Sequence, residues 1–124
     1  MLAPQEQVAR ILSGRRPPQP SEDILLRARL DLDEGRTRQA ALQARAAHGA
    51  LQAELRAETG AEQVVAAVRS RSELISRLAT VALERALDAE QTAKLGELVA
   101  EMERIARRRR HALPEADGPD TTPG

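Results

Sequence analysis

No Phe, Tyr or Trp occurs anywhere in the 124 residues of this chain, and that absence limits what it can fold into more than any other feature. Aromatic side chains bury the most area per residue, so a core built without them depends on Leu, Val, Ile and Ala alone. Alanine is abundant, and with Leu, Glu, Gln and Arg it supplies the strongest helix formers. No run of alternating β-branched and polar residues bounded by turn chemistry is present, so strands are not expected. The class is all-α, in one domain at most.

Nineteen basic and 19 acidic residues leave a formal net charge of zero, which points neither to nucleic acid nor to an acidic partner. Lys94 is the single lysine; the other basic residues are arginines. With no cysteine there is no disulfide framework, thiolate nucleophile or cysteine metal site. Residues 1–14 are too short and polar to span a membrane and lack the apolar stretch of a signal peptide. The expectation is therefore a cytoplasmic protein, or one from which a leader or anchor has been removed.

Residues 4–13 can make a short helix with Val8, Ile11 and Leu12 on one narrow face, and the prolines at 17, 18 and 20 make the following stretch a stiff linker. Residues 1–20 form this leading part. Residues 21–111 are the folded domain, and residues 112–124, rich in Pro, Gly and acid, form a disordered tail. Within the domain Ser21 is expected to cap a short helix carrying Ile24, Leu25, Leu26 and Leu30. Asp33 is expected to cap the first long arm, with Gly35 in its opening turn and its end near Glu58. Thr59 with Glu62 fits a capping box for a second arm over 61–87, while Gly60 suits the end of the first. Ser70 with Glu73 predicts a kink in that arm, and Asp88 with Gln91 opens a last helix ending near Arg110.

Arms of about 26 residues would be roughly 39 Å long, and their short connection implies an antiparallel hairpin. Leu42, Leu51 and Leu55 in the first arm are separated by alanines, which bury little area each. A lone hairpin of this composition would be marginal, and association with a second copy would stabilise it. A homodimer is therefore expected, with Leu78, Leu95, Leu98, Val99, Met102 and Ile105 as its dimer or partner surface.

Chemistry is sparse. His48 has Ala44, Leu51 and Gln52 at helical spacing, so no second ligand shares its face, and it is expected on a helix surface. Glu54 with Glu58, and Glu97 with Glu101, are four residues apart but lie among polar neighbours, where solvated carboxylates do no acid–base work. No phosphate loop, nucleophile elbow or Ser/His/Asp arrangement appears. The chain is not expected to be an enzyme, to bind a metal or to use a cofactor. Arg107-Arg108-Arg109-Arg110 could contact an anion; alternatively, four cations complement the C-terminal dipole of a helix ending there, with Glu115, Asp117 and Asp120 nearby to offset them.

Two junctions look alike. Leu32-Asp33-Glu34-Gly35-Arg36 and Leu87-Asp88-Ala89-Glu90-Gln91 each set a leucine and an acidic capping residue before a polar residue three positions on. The second, with Thr92-Ala93-Lys94-Leu95, resembles the LTxxQ motif of the Spy/CpxP family and of the related heavy-metal-resistance sensors. Asp stands where that family favours Thr, and Arg36 stands where the first motif would have Gln. The resemblance spans residues 21–110 and implies a small helical hairpin, dimeric and periplasmic, acting as a chaperone without ATP, a stress adaptor or a metal sensor. Where the metal-sensing members carry ligands, this chain has Ile24-Leu25-Leu26-Arg27 and Ala79-Thr80-Val81-Ala82-Leu83, so the resemblance implies no metal site. The expected function is non-enzymatic binding of a protein client or regulatory partner. The alternative is a cytoplasmic regulatory dimer, since residues 74–105 also resemble the dimerisation helices of MarR-type repressors; it would bind a protein or, through Arg107 to Arg110, nucleic acid.

Overall fold

A computed structural model describes residues 19–117, with side chains through His111. The described residues are all-α: α1 (Pro20–Asp33), α2 (Thr37–Arg56), α3 (Glu62–Arg69), α4 (Ser72–Glu84) and α5 (Ala89–Asp117). They fall into two compact units, Gln19–Glu103 and a second whose described part is residues 104–117. The expected helix at 4–13 and most of the proline linker lie outside the described residues.

α1 starts two residues earlier than its sequence suggests. Gln19 is the extended cap residue and Pro20 takes the first helical position, where a missing N–H costs nothing. Ser21 is therefore inside the helix, wholly buried, and not its cap. α1 ends in a Schellman motif: Gly35 N–H donates to the Leu32 carbonyl at 3.1 Å and Arg36 N–H to the Asp31 carbonyl at 2.8 Å. Gly35, at φ 79°, is the left-handed residue that closes this motif. It ends the first helix and does not open the next, and Asp33 is the last residue of α1 and not an N-cap. The cap residue of α2 is Arg36, which makes no side-chain capping bond and is held instead by Asp31 and Glu34.

The first arm is thus shorter than expected, about 30 Å for its 20 residues. Gly60, at φ 83°, lies in the turn before α3 but does not end α2, whose cap residue is Ala57. Thr59 does not cap α3; the cap residue is Ala61, with no side-chain bond. The second arm is broken at residues 70–71, where the kink was expected, but by different chemistry. Ser70 Oγ donates back to the Ala67 carbonyl at 2.6 Å, and Arg71 is the cap residue of α4 without a side-chain bond. At the start of α5 the reciprocal capping box does form: Gln91 N–H donates to Asp88 Oδ1 at 2.7 Å, and Asp88 N–H to Gln91 Oε1 at 2.9 Å. α5 then passes the expected end near Arg110 and runs to Asp117.

Hydrogen bonds fix the directions of the helices in the first unit. Moving along α2, Arg38 reaches the carbonyls of Ala82 and Leu83 while His48 reaches that of Val68, so α2 is antiparallel to α3 and α4. Ser21, near the start of α1, bonds Glu54 near the end of α2, so these two are antiparallel as well. Leu87 N–H donates to Thr37 Oγ1 just before α5, and Glu101 further along α5 meets Arg71 at the start of α4. The unit is an up-and-down arrangement in which the third rod is broken into α3 and α4.

α2 packs on α1, on α4 and on α3. Ala40, Ala41, Ala44 and Ala47, each at most 1% exposed, line these contacts, and Leu51 and Leu55 are buried further along the same helix. Alanine has no side chain beyond Cβ, so neighbouring backbones can approach closely, and the large aliphatic side chains come mainly from the other helices. Leu25 of α1, Ile75 and Leu78 of α4, and Leu95, Leu98, Val99 and Met102 of α5 are all buried.

This corrects the expected partner surface. Leu78, Leu95, Leu98, Val99 and Met102 are 0–5% exposed in the single chain, so they form its internal core and are not an outer face. Ile105, in the second unit, is likewise only 6% exposed. Counting only two arms underestimated the monomer, because α1 and α5 add the leucines that a lone hairpin would lack.

Candidate binding surface

With the aliphatic stripes buried, the apolar surface that remains is small and local. Leu26 and Leu30 are 70% and 53% exposed and sit one turn apart on α1, whose inner face is Leu25 and Ala28. Exposed Arg27 lies between them in sequence. Leu83 of α4 and Leu42 of α2 are also exposed. Leu26 and Leu30 were counted with Leu25 on one apolar side from the sequence, but a helix laid against α2 buries only part of so wide a stripe.

The corner between α2 and α3 holds an open cleft of about 260 Å³ lined by Leu55, Arg56, Glu58, Glu62, Val65 and Arg69 among others. Two cations and two acids share it, so its lining has no single charge that would select a ligand.

Most of the polar groups that looked functional prove to be internal ties. His48 is not on the surface: it is 6% exposed, and its Nε2 lies 2.7 Å from the Val68 carbonyl oxygen. A carbonyl only accepts, so Nε2 carries the proton in this bond. Glu54 is no solvated carboxylate either, because it accepts from Ser21 Oγ at 2.6 Å and from Ser21 N–H at 2.9 Å. Glu101 accepts from Arg71 at 3.1 Å. Arg29 forks onto Glu103 at 3.1 and 3.0 Å, a pairing that carries specific geometry as well as charge. That hydrogen-bonded carboxylate raises the Arg29 pKa above its ordinary value, against the opposing effect of partial burial. Arg36, in the same way, is raised by its bonds to Glu34 and then Asp31.

The long-range ties were not readable from the sequence. Ser21 and Glu54 are 33 positions apart, Arg38 and Ala82 are 44, and Arg29 and Glu103 are 74, so no local motif marks them. Of the expected motif residues, Asp88 and Gln91 form the cap, Leu87 is buried behind it, and Leu32 is half-buried near the end of α1. Asp33 instead faces Arg29 at 3.7 Å.

Among the described residues no group of three or more His, Asp or Glu side chains converges as a metal site. No described helix is long and apolar enough to cross a membrane. In the arginine run the helix separates neighbours: Arg107 and Arg108 are exposed, while Arg109 and Arg110 are half-buried and engaged in interactions.

Compared with known proteins, the chain matches no family model, no curated protein and no solved structure.

Proposed function

We propose that this chain is a non-enzymatic helical binding protein that holds apolar segments of other proteins, in the manner of the Spy/CpxP chaperones and stress adaptors its Asp88–Gln91 junction resembles. The observation that carries the reading is the pair Leu26 and Leu30, 70% and 53% exposed on one side of α1. Leaving these two aliphatic side chains mostly in water forgoes about 1–2 kcal/mol each of burial. A partner that covers them would recover that stabilisation. Arg27 beside them gives the patch a cationic rim suited to acidic or unfolded segments. No metal or cofactor enters this reading, and the resemblance to metal-resistance sensors extends only to their helical architecture.

The test is aggregation of a heat-unfolding client protein in the absence of ATP. Equimolar chain should suppress light scattering, and Leu26→Ser/Leu30→Ser should abolish most of that suppression while leaving the helical circular dichroism unchanged. No suppression by the unaltered chain would dispose of the proposal.

A further inference from the structure

The arginine run admitted two readings, and the course of α5 removes the helix dipole from the second. Helix-dipole compensation acts within the last turn of a helix. α5 continues to Asp117, nine residues past Arg108, and its last turn contains no basic residue. The cations therefore stand along the side of a helix, where the dipole does not call for them.

On that side Arg104, Arg107, Arg108 and His111 are all exposed, and positions three, four and seven apart share a helix face. Like charges at these spacings repel. The described acids three and four positions before these arginines are engaged elsewhere: Glu103, four before Arg107, is forked by Arg29, and Glu101, three before Arg104, is held by Arg71. Among the described residues no carboxylate pairs with Arg104, Arg107 or Arg108. A row of mutually repelling, exposed guanidinium groups has two stable states, dispersed in salt water or neutralised by a polyanion.

We infer that the face formed by Arg104, Arg107, Arg108 and His111 is a docking surface for the phosphate backbone of duplex nucleic acid. Guanidinium groups suit phosphate oxygens because their planar fork can donate two bonds to one group. The face extends about 10 Å along the helix, and a duplex carries a charge about every 1.7 Å of its axis, so several phosphates lie within reach. A membrane surface fits less well. A helix that lies in the lipid interface inserts an apolar side, and the apolar residues of this segment, Ile105 and Ala106, are already 6% and 7% exposed. Single strands fit less well too, because the chain has no aromatic side chain for bases to stack on. Binding should follow the backbone without regard to sequence.

The experiment is fluorescence anisotropy of a labelled duplex DNA titrated with the full chain at several salt concentrations. Three phosphate contacts give a log–log salt slope of about −2.7, so affinity should fall about 40-fold between 50 and 200 mM salt. Arg104→Gln/Arg107→Gln/Arg108→Gln should lose at least tenfold in affinity at 50 mM and flatten the slope, and Arg108→Glu alone should weaken binding without loss of helicity. Arg45→Gln/Arg77→Gln/Arg85→Gln removes the same charge from exposed positions on or just beyond α2 and α4 and should bind as the unaltered chain does. The inference is overturned by absence of binding at 50 mM salt, by equal losses in the two triple variants, or by binding to phosphatidylserine vesicles in preference to the duplex.

Discussion

His48 on α2 and Val68 near the end of α3 are joined by a 2.7 Å bond between the imidazole Nε2 and the backbone carbonyl. α3 is only eight residues long, has Gly60 before it and the break at residues 70–71 after it, and packs on α2 less extensively than α1 or α4 does. The Val68 carbonyl also accepts from Arg71 N–H at 3.1 Å, so it keeps one partner if the imidazole is removed. His48→Leu should therefore cost only about 1–2 kcal/mol. The loss should be local: hydrogen exchange should accelerate in α3 before it does in the middle of α2 or α5. Uniform acceleration across all helices would contradict the assignment of this bond as the tie that holds α3.

Arg38 plays the corresponding role for α4. Its Nε and one terminal nitrogen donate to the Ala82 and Leu83 carbonyls at 2.7 and 3.0 Å, which satisfies two acceptors left over where that helix ends. Because the side chain is exposed, Arg38→Ala should cost about 1 kcal/mol, below the usual range for charged hydrogen bonds. Arg38→Lys should recover less than half, since an ammonium group cannot present the same fork. Urea unfolding of the two variants measures both values.

Leucines inside and outside the bundle should differ sharply. Leu51 and Leu95 are 0% and 1% exposed, so Leu51→Ala or Leu95→Ala should destabilise by about 2–5 kcal/mol through lost burial and the cavity left behind. Leu26→Ala, at a 70% exposed position, should change stability by about 0.5 kcal/mol or less. Denaturant midpoints at equal chain concentration provide the comparison. A large effect at Leu26 that depends on protein concentration would instead place that side chain in an interface between copies.

Gly35 allows a purely conformational test. A Cβ built there meets nothing within 4 Å, yet the backbone sits at φ +79°. Gly35→Ala should therefore cost about 1–2 kcal/mol from the left-handed conformation alone, with no steric contribution. Thermal unfolding of the variant would show it, and a crystal structure should find the neighbouring side chains unmoved.

The all-α class follows directly from composition, and periodicity located the helices, because both signals are local. The Asp88–Gln91 box was readable for the same reason: its donors and acceptors lie within four consecutive residues. Ser21, Asp33, Thr59 and Ser70 have the same local chemistry but are not N-caps, and for Ser21, Asp33 and Ser70 a competing interaction accounts for it. Pro20 moves the start of α1, the left-handed Gly35 places the break after Asp33, and Ser70 turns its hydroxyl back to Ala67. Which leucines end up outside could not be read from periodicity either. That outcome depends on how many neighbours each helix has, and the contribution of α1 and α5 to the core is a long-range fact.

The alanine lining of α2 has a consequence for how the protein can vary. Ala40, Ala44 and Ala47 are 0% exposed on the helix that packs against α1, α3 and α4, so they act as spacers between rods. Even one added methyl group would have to wedge those rods apart, at about 1–3 kcal/mol per site. The smallest side chains in the bundle should thus be its least replaceable, and a saturation library should tolerate Val at Leu83 far more readily than at Ala44.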